Sequence, residues 1–249
     1  MSFAGRVSIV TGGTRGLGAA VTERLVDEGA HVAAVYASNA DAADALVERL
    51  AGRPGSVSVH CCDVGDPSAC AFVVAEILER HGRIDHLVNN AGLLIESRVR
   101  TMTLEQWDSA LRVNLSATFY LCQLVLPAMI EQRFGRIVNV SSVTAHMGSP
   151  VEAGYGAAKA GLFGFSRSLA REVIRKGITV NTAVPGIFET DMTNAMESAV
   201  QESLRALIPL GRRGDPAEFA HAVMFLLDER ASYVTGSVVT IDGGFSMGG

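Results

Sequence analysis

The sequence of 249 residues predicts an α/β fold: one doubly wound, parallel, seven-stranded sheet with helices on both faces. Three observations carry this. Short runs rich in Val and Ile alternate with longer stretches of helical period along the whole chain, as strand–helix–strand units do. Several of the runs are apolar on nearly every residue, as strands covered on both faces must be. A glycine-rich turn follows the first run directly, where a Rossmann-type sheet receives a phosphate. No composition shift, linker or internal repeat divides the chain, so residues 1–249 are expected to form a single domain.

The elements follow in order. Residues 6–11 (RVSIVT) read as the first strand, and the glycine turn leads into a helix over about 17–28. A strand at 31–36 (HVAAVY) precedes a helix at 40–51, and a strand at 56–61 (SVSVHC) precedes a helix at 67–81. Pro67 suits the first turn of that helix, and Pro216 does the same later. Residues 84–89 (IDHLVN) give the fourth strand, followed by a long helical stretch at 103–132. Then come a strand at 136–141 (RIVNVS), a helix at 155–176 and a strand at 178–184 (ITVNTAV). The segment at about 186–214 has no regular period and is expected to form a substrate loop or lid. A helix at 216–228 and a strand at 237–241 (SVVTI) complete the pattern.

Composition excludes several classes. A net charge of -5 argues against a nucleic-acid binder that works through bulk charge. No basic segment followed by an apolar stretch opens the chain, so no signal peptide is expected. No uncharged apolar run of about 18 residues is apparent, so no membrane partner is expected. The four cysteines form no CxxC pair and the six histidines no HExxH, so no metal site is expected and the cysteines read as reduced cytoplasmic thiols.

Ligands of such sheets bind beyond the carboxyl ends of the strands. There the chain carries Gly12, Gly16 and Gly18 after the first strand, Asp63 after the third and Asn89-Asn90-Ala91-Gly92 after the fourth. Ser141-Ser142 follow the fifth and Pro185-Gly186 the sixth. Small and polar turns therefore converge on one crevice. Glycines let backbone amides approach a pyrophosphate, and the helix start favours the anion. NAD sites place an acid near the end of the second strand to bond the ribose 2′-hydroxyl. Here the place reads Tyr36-Ala37-Ser38-Asn39, without an acid, and Arg15 supplies a cation for a 2′-phosphate. NADP is therefore expected over NAD.

Tyr155 and Lys159 lie four apart, on one face of a helix. A phenol is a poor acid–base group at neutral pH, and a nearby ammonium is expected to lower its pKa. Ser142 ends the preceding strand and is placed to bond the same substrate oxygen. Asn114 is a polar residue in the long helical stretch. Trp107, beside Leu104 and Leu111, reads as a packing residue, and His146 as structural or solvated.

These residues carry a resemblance to the short-chain dehydrogenase/reductase family over the whole chain. TGGTRGLG is similar to that family's TGxxxGxG, Asn89 to Gly92 to its NNAG, and Tyr155 with Lys159 to its YxxxK, with Ser142 thirteen residues before the tyrosine. The resemblance implies an NAD(P)-binding domain and a catalytic set of Asn114, Ser142, Tyr155 and Lys159. Tyr155 would protonate a substrate carbonyl that receives hydride from the nicotinamide. Ser142 would polarise that carbonyl, Lys159 would bond the nicotinamide ribose, and Asn114 would hold a water linking Lys159 to solvent. Cofactor contacts are implied for Gly12, Thr14, Arg15, Gly16, Leu17 and Gly18, and for Tyr36, Ser38 and Asn39. They are implied also for Asp63 and Val64 at the adenine, for Asn90, Ala91 and Gly92, and for Pro185, Gly186, Ile187 and Thr190 at the nicotinamide.

Within that family, YGAAKAGLFGFSRSLAREV, GITVNTAVPGIFETDMT and the stretch from IPLGRRGDPAEF to VVTIDGG resemble the bacterial 3-oxoacyl-[acyl-carrier-protein] reductases. NADPH-dependent reduction of a carrier-bound 3-oxoacyl thioester is what this implies, with the acidic carrier docked beside the cleft on Arg133, Arg175 and Lys176. After NNAG many of those enzymes read I-T-R-D; this chain reads Leu93-Leu94-Ile95-Glu96. The same architecture serves acetoacetyl-CoA, polyketide, sugar and steroid reductases, and it would serve a non-catalytic dinucleotide-binding regulator. The intact four-residue set favours catalysis. A cytoplasmic homotetramer, paired through the long helices, is implied by the resemblance alone.

Overall fold

The computed structural model describes residues 3–194 and 197–247. Residues 1, 2, 195, 196, 248 and 249 of the expected domain, two of them in the expected lid, lie outside the described residues. One seven-stranded sheet runs in the order β3-β2-β1-β4-β5-β6-β7. Its strands are β1 (Val7–Thr11), β2 (His31–Tyr36), β3 (Ser56–Cys61), β4 (His86–Asn89), β5 (Gly135–Val140), β6 (Ile178–Pro185) and β7 (Val238–Ile241). Every neighbouring pair is parallel.

Successive strand residues serve opposite faces. Ile9, Leu87 and Ile137 belong to one core layer, and Val10, Val88 and Val138 to the other. The first layer is roofed by α3 (Pro67–His81), α5 (Ala117–Glu131) and α7 (Ala153–Val173). The second is roofed by α1 (Gly16–Asp27), α2 (Ala40–Leu50) and α10 (Pro216–Leu227). β3 is one of the two edge strands, and it alternates: Ser56, Ser58 and His60 join a polar cluster with His31, while Val57 and Val59 pack on the core.

The long helical stretch at 103–132 is not one α-helix. α4 (Leu104–Leu111) and α5 are joined by a π-helical turn, Arg112–Ser116. By length and composition alone, Leu104–Glu131 is long and apolar enough to cross a membrane, a test that a buried core helix also passes. Its buried positions Leu121, Cys122, Val125 and Met129 pack in the first core layer. The segment at 186–214 contains short helices, α8 (Asp191–Asn194) and α9 (Ser198–Ala206), where irregular chain was expected. A further short helix, α6 (Thr144–Met147), follows β5.

Candidate active site

β1 and β4 are neighbours, but the chain leaves them toward opposite faces of the sheet: α1 packs in one layer, α5 in the other. The gap above their carboxyl ends is a cleft of about 380 Å³. Gly12, Thr14, Arg15, Gly16, Leu17 and Gly18 line one wall. Gly12 needs its glycine for backbone conformation, with φ at 62°. Gly18 needs it for space, because a Cβ there would stand 2.1 Å from the Gly12 carbonyl oxygen. α1 starts without a side-chain cap, so its first amides remain free for an anion. The Arg15 guanidinium has no partner among the described residues and faces the same cleft.

Tyr36, Ser38 and Asn39 line the far end, with no carboxylate among them. The Asn39 side chain is committed to capping α2, accepting from the Ala42 amide at 2.9 Å. Asn90, Ala91 and Gly92 form the opposite wall. They are fixed by Thr11, whose hydroxyl oxygen accepts from the amides of both Asn90 and Ala91 at 2.9 Å. Thr190 closes over Gly16, its Cγ2 3.6 Å from where a Cβ of Gly16 would lie. The start of the 186–214 segment thus rests on the glycine turn. These uncharged, close-approach walls with one free guanidinium fit a dinucleotide bearing an extra phosphate.

Asn114, Ser142, Tyr155 and Lys159 do not line this cleft; Asn114 and Lys159 adjoin it behind Gly92. The Lys159 amine donates to the Val140 carbonyl at 2.8 Å and stands 5.7 Å from the Tyr155 ring centre. A Cβ on Gly92 would meet Asn114 Oδ1 at 3.1 Å and Lys159 Nζ at 3.6 Å, so the three share one corner. Asn114 sits in the π turn. Its amide donates to the carbonyls of Ala110 and Leu93 at 2.9 and 2.8 Å, and its oxygen accepts from the Leu93 amide at 3.0 Å. The turn frees the Ala110 carbonyl from its α-helical partner, and the Asn114 side chain takes that bond instead.

Burial holds the Lys159 amine down at about 8. It also pushes the Tyr155 phenol up, against a lowering hydrogen bond from Ser142. The sequence suggested that the lysine would lower the phenol. The phenol rises instead: burial is the largest cause, Lys159 is not among the influences on it, and the lysine amine donates to the Val140 carbonyl.

Several expected contacts fall elsewhere. The Asp63 carboxylate accepts from the Gly65 amide at 2.9 Å and pairs with Arg112 at 3.3 Å, 58% exposed, while its neighbours Cys62 and Val64 line the cleft. The partner comes from the π turn, 49 residues further along the chain. Ile187 lines a separate hollow with Asp242 and Gly214. Pro185 ends β6 and Gly186 follows it; a Cβ on Gly186 would meet Asp242 Cβ at 2.6 Å, so that glycine serves the packing of the turn after β7. Arg133, Arg175 and Lys176 are exposed but precede β5 and β6. They stand at the amino edge of the sheet, opposite the cleft and not beside it. Trp107 packs over Gly154, and His146 stacks on Phe163 at 5.0 Å, both as expected.

Two further residues position the site without having been singled out for that role. One is Thr11, described above. The other is Ser141, whose hydroxyl donates to the Lys159 carbonyl at 2.8 Å and ties α7 to the end of β5. Their only signal was adjacency to the glycine turn and to Ser142.

A family described as enoyl-(acyl carrier protein) reductase matches residues 12–246. The 3-oxoacyl-[acyl-carrier-protein] reductase FabG of Thermotoga maritima is 41% identical over 244 residues, covering 98% of this chain and 99% of that protein. The protein of the same name from Escherichia coli K12 is 40% identical over 247 residues, covering 99% of this chain and all of that one. That of Vibrio cholerae is likewise 40% identical over 247 residues.

Proposed function

The chain belongs to the short-chain dehydrogenase/reductase family, and we propose that it reduces a 3-oxoacyl-[acyl-carrier-protein] to the 3-hydroxyacyl product with NADPH. It is an oxidoreductase acting on the CH–OH/C=O pair, and its family uses a nicotinamide dinucleotide. The observation that carries the finer reading is the grouping of Asn114, Lys159 and Tyr155 behind Gly92, next to a cleft whose far end carries no carboxylate and whose Arg15 has no partner among the described residues. The glycine turn and the start of α1 would hold the pyrophosphate, and Arg15 the 2′-phosphate. When bound, the nicotinamide supplies hydride to the substrate carbonyl carbon. Tyr155 donates its phenolic proton to the carbonyl oxygen, and the Ser142 hydroxyl polarises that oxygen. Lys159, at about 8, is poised to return a proton to the phenol.

Docking of an acidic carrier on Arg133, Arg175 and Lys176 needs a second copy. α5 is 15 residues long, hence about 22 Å, and runs from the cleft to the opposite sheet edge. Phe119 and Ile130 leave an apolar strip exposed along it. Two copies paired antiparallel on that strip would set the basic residues of one beside the cleft of the other. This supports the homotetramer reading, and the free cysteines suit the cytoplasm.

The test is NADPH consumption with a carrier-linked 3-oxoacyl chain, acetoacetyl-CoA, an enoyl thioester and unrelated ketones. Highest kcat/KM for the carrier-linked 3-oxoacyl chain is expected. Tyr155→Phe is expected to lower kcat by about 10²–10⁴-fold while NADPH still binds. Preference for the enoyl thioester or a plain ketone would overturn the reading.

A further inference from the structure

We propose that Arg213 is a positioning residue for the cofactor: it clasps the chain that leaves β6 to the chain that returns to α10, holds Thr190 down on the glycine turn, and so sets how long the dinucleotide stays bound. The inference rests on the nicotinamide-dinucleotide reading above.

The two limbs meet at a fixed base. Phe188 and Gly214 bridge in parallel register. The Glu189 amide donates to the Gly214 carbonyl at 2.9 Å, and the Gly214 amide donates to the Ile187 carbonyl at 3.0 Å. The Phe188 ring fills the space that a Cβ on Gly214 would take, 2.5 Å away. Phe188 is buried and packs edge-on against Phe219 of α10, with ring centres 5.8 Å apart. The base is therefore part of the core, and the outgoing limb extends from it.

That limb turns at once toward the cleft. The Thr193 hydroxyl donates to the Phe188 carbonyl at 2.6 Å and accepts from the Thr190 amide at 2.9 Å. The Asn194 amide donates to the Thr190 carbonyl at 2.8 Å. These bonds make Thr190 to Asn194 one unit, with Thr190 lining the cleft over Gly16. A helix as short as α8 does not hold itself in place. Arg213, on the returning limb, supplies the tie. Its guanidinium donates to Asn194 Oδ1 at 3.0 Å and stands 3.8 Å from the Glu189 carboxylate. The clasp thus reaches both ends of the unit: Glu189 just before Thr190, and Asn194 one turn after it. The Arg213 side chain is only 14% exposed, so its bond to Asn194 is shielded as well as charge-assisted, which makes it one of the stronger kinds.

The neighbouring charges are engaged elsewhere. Arg212 donates twice to Glu218 of α10, at 2.7 and 2.8 Å. Asp215 caps α10, accepting from the Ala217 amide at 2.8 Å. Arg213 is the cation that turns away from α10 and toward the limb carrying Thr190. Losing it would leave the base intact and free the part that rests on the glycine turn.

The test compares the wild type with Arg213→Met, Arg213→Lys and Asn194→Ala. Amide hydrogen exchange is followed in the cofactor-free proteins, and NADPH dissociation by stopped-flow fluorescence. Arg213→Met is expected to speed exchange at the Thr190 and Asn194 amides, and to speed NADPH dissociation by about tenfold, the worth of one hydrogen bond to a charged group. KM for NADPH is expected to rise about as far, while a single turnover at saturating NADPH keeps its rate. Arg213→Lys, which keeps a charged donor, is expected to restore part of each change. Asn194→Ala removes the acceptor; it is expected to move exchange and dissociation in the same direction by less, and it serves if the methionine variant does not fold. Exchange or dissociation unmoved in Arg213→Met, or in Asn194→Ala where that variant alone folds, would overturn the proposal. A wild type that binds no NADPH would instead sink the cofactor reading, because the exchange measurement needs no cofactor.

Discussion

Lys159 shows how one residue is stressed for the sake of the chemistry. The residue is 3% exposed, and among the described residues its amine has no carboxylate partner and donates to the Val140 carbonyl. Burial lowers its pKa from 10.5 to about 8. Between those values the unfolded chain binds a proton here that the folded chain does not, so stability rises with pH across that window. At neutral pH the buried ammonium costs about 3 kcal/mol. Lys159→Met is expected to melt no lower than the wild type at pH 7, to flatten the rise in melting temperature between about pH 8 and 10.5, and to be inactive; thermal scans across that range check it. A variant melting several degrees below the wild type would mean that the lysine is a structural bond first. Tyr36 illustrates a choice made by omission. It ends β2 where an acid would repel a 2′-phosphate, so Tyr36→Asp is expected to shift the kcat/KM ratio toward NADH by about tenfold or more. An unchanged ratio of NADPH to NADH rates would remove the basis for the NADPH assignment.

The glycine turn and the π turn are the two elements whose backbone makes the site, and they differ in how far the sequence reveals them. Gly18 lies so close to the Gly12 carbonyl that any Cβ collides with it. Gly18→Ala is expected to destabilise the chain by about 1–3 kcal/mol and to weaken NADPH binding at least tenfold, measured by denaturant unfolding and by fluorescence of the reduced cofactor. Full-strength binding in that variant would show that the turn can open without loss. This turn was legible because its residues are neighbours in the chain and their spacing alone sets its shape. Tyr155 and Lys159 were legible for the same reason, one helical turn apart. The π turn was not. Its extra residue per turn is fixed by Asn114 gripping the backbone of Leu93, 21 positions away, and no periodicity over 103–132 carries that contact. The Asp63 pairing was hidden in a related way: its place after β3 is legible, but its partner Arg112 lies 49 positions on.

The whole molecule places the cleft and three exposed cations on opposite edges of one sheet. The cleft stands at the carboxyl edge, and Arg133, Arg175 and Lys176 at the amino edge. A parallel sheet permits nothing else, because every residue just before a strand lies at one edge and every residue just after a strand at the other. A single copy thus cannot use those three cations to present a carrier-bound chain to its own Tyr155. If the exposed strip on α5 pairs two copies, the edges of different copies meet. Phe119, 47% exposed, lies on that strip and touches Tyr120 and Phe165 at ring distances of 5.9 and 6.4 Å. A charge there breaks an apolar contact between copies at small cost to the fold of one. Phe119→Glu is expected to sediment as a smaller species and to lose its preference for the carrier-linked substrate over acetoacetyl-CoA. Arg133→Glu is expected to lose the same preference while sedimenting like the wild type. The pair of outcomes separates charge from assembly. A dissociated Phe119→Glu that still favoured the carrier-linked chain would show that docking is completed within one copy, on cations other than the three at the amino edge.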